Sequence, residues 1–466
     1  MTSTPIRPTL EPARFPASFT WGVATSAHQI EGATDEGGRG PSIWDTFAAS
    51  PGRTVRGESG AVANDHYHRW ADDLDLVVDL GVDAYRFSIA WPRVQPTGRG
   101  PANPEGLAFY DRLVDGMLER GIEPWATLYH WDLPDELEQA GGWPARDTAA
   151  RFADYTELVV EALGDRVGRW ITLNEPWCAA FLGYGSGRHA PGRTDAGEAV
   201  RAAHHLLLGH GHAVDVVRAL RPQAQVGVTL NLYPVSPVDD TGRHDDAVRR
   251  VDGLANRLFL DPVLLGRYPE DVVDDLRPFC DQSHVQPGDL DTISAGLDFL
   301  GVNYYTRHVV EAGPFPGAAD AVFAERDLAR TATGWEVDPD GLVDVLAQVV
   351  RGYPPIPIVL TENGAAFDDV LEDGKVLDHD RVSFLATHLD ALARAREAGA
   401  PVEGYFAWSL MDNYEWAEGY DKRFGLVHVD FETQVRTVKE SGRWYGDLVR
   451  AHHALRVPPT RPDPRA

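Results

Sequence analysis

Ile171-Thr172-Leu173-Asn174-Glu175-Pro176 and Ile358-Val359-Leu360-Thr361-Glu362-Asn363-Gly364 share one pattern. In each, a short run of apolar and β-branched residues ends in a glutamate and is then halted by proline or glycine. Apolar character at consecutive positions predicts a strand buried on both faces, as in parallel sheets. Six further runs read the same way: Phe19 to Ala24, Ala84 to Ile89, Glu123 to Leu128, Gln225 to Leu230, Phe299 to Tyr304 and Val402 to Trp408. With Trp170 to Leu173 and Ile356 to Leu360 the count is eight.

Between the runs lie segments of helical periodicity, such as Tyr67, Trp70, Leu74 and Val77, or Phe109, Leu113 and Met117. Eight strand and helix alternations predict an α/β chain folded as a single (β/α)8 TIM barrel, against the competing doubly wound open sheet. No linker divides the chain, so residues 1–466 are expected to form one catalytic domain, with short Pro/Arg-rich arms at about 1–14 and 457–466. Barrels carry their chemistry where strands end, and three long loops, Thr34 to Ala63, Tyr184 to Glu198 and Val309 to Asp338, are candidate pocket walls.

Composition narrows the function. Apolar residues make up 43% of the 466, and 13 Trp and 15 Tyr supply large amphipathic surfaces for a packed core. The 71 acidic residues against 43 basic ones leave a formal charge of −28, which repels phosphate backbones and anionic membranes, so no nucleic-acid partner is expected. Nowhere do 18 apolar residues run together, and Met1 to Pro16 has no apolar signal-like core, so no membrane partner is expected either. Only Cys178 and Cys280 occur, which suits a reducing cytoplasm. Oligomeric state leaves no mark on the sequence.

In a barrel the ends of strands four and seven face each other across the mouth, so Glu175 and Glu362 are placed to flank one bond of a substrate. Paired carboxyls are what glycoside hydrolysis requires: one protonates the leaving oxygen while the other attacks or activates water at the anomeric carbon. Other strand ends add groups suited to hydroxyls and to the apolar face of a sugar: Gln29, Arg86, His130, Asn303 with Tyr305, and Glu415 with Trp416.

These residues lie in motifs that resemble glycoside hydrolase family 1, the β-glucosidase family, from about Phe15 to His452. The motifs run in order: the stretch from Phe19 to Gly32, Tyr85 to Arg93, Leu128 to Pro134, Thr172 to Pro176, Leu300 to Tyr305, Thr361 to Gly364, and Trp408 to Trp416. The resemblance implies that Glu175 is the acid/base and Glu362 the nucleophile of a retaining mechanism. It further implies that Arg86 and Tyr305 hydrogen-bond the nucleophile and that Asn174 contacts the sugar 2-hydroxyl. Gln29, His130, Trp131, Glu415 and Trp416 match the family's positions for the non-reducing sugar. Trp408 would be the stacking floor, Phe424 would line the 6-hydroxyl pocket, and Trp335 would stand at the aglycone entrance.

By the same resemblance the substrate is a small β-glycoside, chiefly a terminal β-D-glucosyl unit as in cellobiose, with side activity on β-galactosides and β-fucosides. Glu415 disfavours a 6-phosphorylated sugar, and no metal or organic cofactor is implied. A transglycosidase using the same two glutamates, and an idle carbohydrate-binding protein on the same fold, are the rivals. Three signals are set aside. Gly183 to Gly187 lacks a following helix start, His204, His205, His210 and His212 are expected to pack a helix on the barrel, and Cys178 is expected to be a small buried hydrophobe.

Overall fold

Each apolar run forms a strand in the computed structural model, which describes residues 8–313 and 321–456. The strands are β1 (Thr20–Ala24), β2 (Ala84–Ser88), β3 (Glu123–Tyr129), β4 (Arg169–Asn174), β5 (Gln225–Asn231), β6 (Phe299–Asn303), β7 (Ile358–Asn363) and β8 (Val402–Trp408). All pair in parallel with their sequence neighbours, and β1 joins β8 from Thr20↔Gly404 to Ala24↔Trp408, so the sheet is a closed barrel. That last pairing excludes the open sheet. Boundaries differ from the sequence reading by up to three residues. The seventh strand starts at Ile358, just past Pro357, which has no N–H for a ladder.

Helices follow the strands: α1 (His66–Leu80), α2 (Pro104–Glu119), α3 (Asp147–Leu163), α4 (Ala196–Leu220), α5 (Leu258–Leu265), α6 (Pro339–Gly352), α7 (His379–Glu397) and α8 (Glu440–His453). Short polar side chains start several of them. Asn103 caps α2 ahead of Pro104, Asp195 accepts from Glu198 N at the start of α4, and Asp338 accepts from Gly341 N at the start of α6. Leu74 and Val77 of α1 and Phe109, Leu113 and Met117 of α2 are buried against the barrel. Tyr67 and Trp70 are only half-buried. The histidines of α4 pack as expected: His210 meets Thr172 Oγ1 of β4 at 2.6 Å, and His204 meets Tyr268 and Asp289.

Alternation along the strands sorts side chains between two cores. Outward residues such as Tyr85, Trp170 and Leu360 pack under the helices. Trp125, Ile171, Phe299, Val359 and Phe406 meet inside the barrel, where the Trp125 ring lies 5.0 Å from Phe406 and 5.3 Å from Phe299 across non-adjacent strands. Truncating such a plug residue to alanine costs about 3–5 kcal/mol.

The N-terminal arm, as far as it is described, is tied to the body: Trp444 Nε1 donates to Pro8 O, and Arg14 pairs with Asp390 and Glu397. The expected arm at 457–466 lies outside the described residues. Among those described, no helix is long and apolar enough to cross a membrane.

Candidate active site

Strict alternation would spoil the mouth of this barrel. Along β7, Val359 points inward and Leu360 outward. Thr361 turns in again, its hydroxyl accepting from Thr229 and donating to Asn303 Oδ1. The next residue, Glu362, would then face the helices. Instead the pairing with β6 shifts register between Leu360 and Glu362, and the shift turns Glu362 into the mouth. On β4 a second shift, between Ile171 and Asn174 against β5, brings Asn174 inward, and Glu175 follows at a left-handed φ of 47°. Two glycines make room. A Cβ on Gly301 would lie 2.3 Å from Thr229 Oγ1, and one on Gly364 would lie 1.8 Å from Trp408 O.

The two carboxyls are both buried, at 5% exposure for Glu175 and 3% for Glu362. Glu362 Oε1 accepts from Arg86 Nη1 at 2.6 Å and Oε2 accepts from Tyr305 OH at 2.6 Å. Glu175 Oε1 accepts from Asn303 Nδ2 at 2.7 Å, and Cys178 Sγ stands 3.3 Å from Oε2. Asn174 joins the two halves: its Oδ1 accepts from Arg86 Nη2 and Asn303 Nδ2, and its Nδ2 faces His130 Nε2 at 3.0 Å.

Burial pushes both glutamates up, because a charged carboxylate loses its water there. Glu175 is carried to about 8, the charge of Glu362 adding to burial. Glu362 is raised by burial too, but the Arg86 guanidinium and the Tyr305 hydroxyl pull it back, so of the pair it loses its proton first. Burial also drives Tyr305 well above its ordinary range, which keeps its hydroxyl a donor. His130 is pushed well below its own by burial and Arg86, so it stays neutral.

A cavity of about 980 Å³ opens in front of these groups. Trp131, Trp408 and Trp416 wall its inner end beside His130, whose ring stacks at 5.8 Å on Trp408 and 5.9 Å on Trp416. Trp131 Nε1 donates to Asn174 O, and its ring lies 4.7 Å from that of Trp416. Glu415, partly open to the cavity, is pushed to about 8 by burial and by the charges of Glu362 and Glu175. Behind it, fully buried Gln29 donates to Glu415 Oε2 and Asn413 Oδ1. Phe424 and Trp335 form the opposite side, each packed on Tyr305. Each of the three long loops contributes to the walls: Phe47 and Arg53 from the first, Arg188 and His189 from the second, Glu325 and Trp335 from the third.

All fourteen candidate residues thus converge, although Gln29, Arg86 and Asn303 stand behind the cavity surface and act through their hydrogen bonds. Trp131 (φ 75°) and Trp416 (φ 53°), like Glu175, hold a left-handed backbone that costs a non-glycine residue about 1–2 kcal/mol. Cys178 is buried in the apolar core as expected, and the turn after Glu175 also brings its sulfur onto the carboxyl. Thr361 and Asn413, which orient Asn303 and Gln29, escaped the sequence reading because short polar residues give no periodic signal. Among the described residues, no group of three or more His, Cys, Asp or Glu is arranged to hold a metal ion.

A bifunctional β-D-glucosidase/β-D-fucosidase of Bifidobacterium breve is 50% identical over 463 residues, covering 94% of this chain and 99% of its own. The crystal structure of the AHE enzyme from Alicyclobacillus herbarius superposes with a TM-score of 0.93 at 48% identity, covering 96% of this chain and 100% of that one. A Thermotoga maritima family 1 glycoside hydrolase, complexed with a cyclophellitol analogue described as a transition-state mimic, gives 0.91 at 46% identity, covering 94% and 98%. Residues 11–454 match glycosyl hydrolase family 1, and with the barrel and the paired carboxyls in place, the chain belongs to that family.

Proposed function

We propose that this glycoside hydrolase is a retaining, exo-acting β-glucosidase in which Glu362 is the nucleophile and Glu175 the acid/base. The observation that carries the assignment is the unequal setting of the two carboxyls: a cation and a phenol on Glu362, an amide and a thiol on Glu175. The group ionised first is the one fit to attack, and the group held to about 8 is the one fit to donate a proton.

In the first step Glu362 attacks the anomeric carbon while Glu175 gives its proton to the departing oxygen. The resulting ester carries no charge at Glu362. The repulsion that helped raise Glu175 is then gone, its proton affinity falls, and it takes a proton from the water that releases the sugar. Two displacements restore the starting configuration. Asn174, held by Arg86 and Asn303, presents its amide to the sugar 2-hydroxyl, and His130, Glu415 and the three tryptophans receive the remaining hydroxyls and the apolar sugar face. Trp335 stands where a leaving group would pass.

Glucose is the preferred glycone, with galactosides and fucosides as slower substrates and cellobiose as a natural type of substrate. The Bifidobacterium relative's name, which joins glucosidase and fucosidase, supports that breadth. One catalytic domain working in a reducing cytoplasm fits the two free buried thiols. The test is hydrolysis of 4-nitrophenyl β-D-glucoside beside the galactoside, fucoside and 6-phosphoglucoside, with the first product anomer followed by NMR. β-Glucose first, with the phosphorylated sugar inert, is the expected outcome; α-glucose first overturns the assignment of Glu362.

A further inference from the structure

Thr361 Oγ1 donates to Asn303 Oδ1, which leaves the Nδ2 end of that amide facing Glu175. Oε1 of Glu175 is therefore always an acceptor, and the exchangeable proton resides on Oε2. That same oxygen faces Cys178 Sγ at 3.3 Å. The cysteine lies three residues on, at the start of the turn of helix Cys178–Gly185, and is 6% exposed. On its other side Asn231 Nδ2 approaches the sulfur at 3.7 Å, so a lone pair of sulfur is engaged there and the S–H is directed at Glu175. Burial and the neighbouring Glu175 push the thiol far up, so it keeps its hydrogen and remains a donor.

We propose that Cys178 is a positioning residue for the acid carboxyl: its S–H holds Oε2 of Glu175 in place and steadies that oxygen once its proton has left. The proposal rests on the reading of Glu175 as acid/base. A donor on Oε2 favours the ionised carboxylate and thus assists both proton donation to the leaving group and the base step that follows. The surrounding charges do not supply this. Glu362 opposes ionisation of Glu175, and Arg86, the cation that eases it, is tied to Glu362 and Asn174. Tyr233, Tyr305 and Glu415 face the carboxyl as protonated or acidic groups, and Arg188 stands toward the thiol side. Only Cys178 and Asn303 donate to the carboxyl of Glu175 among the described residues.

The test compares Cys178→Ala and Cys178→Ser with the parent enzyme in the pH profile of kcat/KM for 4-nitrophenyl glucoside, whose alkaline limb reports Glu175. Removing the weak S–H donor should move that limb up by about half a pH unit. Serine, a stronger donor of similar size, should bring it back to the parent position or below, with the acidic limb unmoved in both. An unmoved limb in the alanine variant overturns the proposal, as does a serine variant shifted up as far as alanine. Should alanine fail to fold, serine alone decides by the same rule. A ¹³C-carboxyl NMR titration, with the Glu175 signal identified by its loss in Glu175→Gln, reads the same shift without turnover. Inactivity on every glucoside together with an intact NMR shift would sink the glucosidase reading and leave the thiol contact standing.

Discussion

At the end of β7, Glu362 meets a guanidinium on one oxygen and a phenol on the other; at the end of β4, Glu175 meets a side-chain amide and a thiol. Residue type, burial and place on the barrel are nearly the same for both. What separates them is the charge and strength of the donors. A cation in a buried setting is worth far more than a neutral donor, so it decides which carboxyl ionises first. Chemical role in this site is a property of the neighbours.

The sharpest way to break the comparison is to delete each carboxyl in turn. Glu362→Ala should lower kcat by at least about 10⁴-fold, as loss of a covalent nucleophile does. Azide should partly restore turnover with inverted product, read by NMR. Glu175→Gln should cost about 10²–10⁴-fold with poor leaving groups such as methyl glucoside. It should cost little in the glycosylation of a 2,4-dinitrophenyl glucoside, whose leaving group needs no proton. Equal losses on both substrates would remove Glu175 from the acid role.

Removing the cation tests the asymmetry itself. In Arg86→Met, Glu362 stays buried with the neutral donors Tyr305 and Asn303 but no cation, so its proton affinity rises and the acidic limb of kcat/KM should move up by about one unit or more. Activity near neutrality should fall on the order of a hundredfold, partly because a buried partner is left unpaired. The outer wall sets the scale for a site far from the charges. Trp335, 36% exposed, should act through leaving-group contact, so Trp335→Ala should raise KM for aryl glucosides about fivefold, close to 1 kcal/mol of aromatic contact, with kcat little changed.

The smallest effect is on stability. Glu175 holds its proton to about 8 in the folded chain, against an ordinary value of 4.5. Between those values the folded protein keeps a proton that the unfolded one has released. The stabilising effect is therefore complete below about 4.5 and is lost as pH rises through about 8. Glutamine does not titrate. Glu175→Gln should consequently gain on the parent in Tm as pH is raised from 5 to 8, by a few degrees in calorimetry, and a constant gap would argue against a raised Glu175.

Much of this was legible before folding was considered. Eight apolar runs of strand length, separated by amphipathic segments, leave few architectures open, since strands apolar on both faces need helices on one side and a filled interior on the other. The motifs around Glu175 and Glu362 stood at strand ends, where a barrel collects its loops. Less legible were the groups that act through others. Asn303 was expected to meet sugar and instead holds Glu175, while Gln29 stands behind Glu415. Cys178 looked like packing because a thiol gives no polar signal in sequence.

The order of apolar runs and the residues at their ends determined by themselves the barrel, the pairing of Glu175 with Glu362 and the family, because burial of strand faces and residue chemistry are local properties. Only the tertiary structure decided which way those residues face. The register shifts after Ile171 and after Leu360 depend on neighbouring strands, and the left-handed backbone at Trp131, Glu175 and Trp416 is held by packing against the rest of the chain. Proton affinities followed from the same source, since they depend on distances of about 3 Å between side chains far apart in sequence.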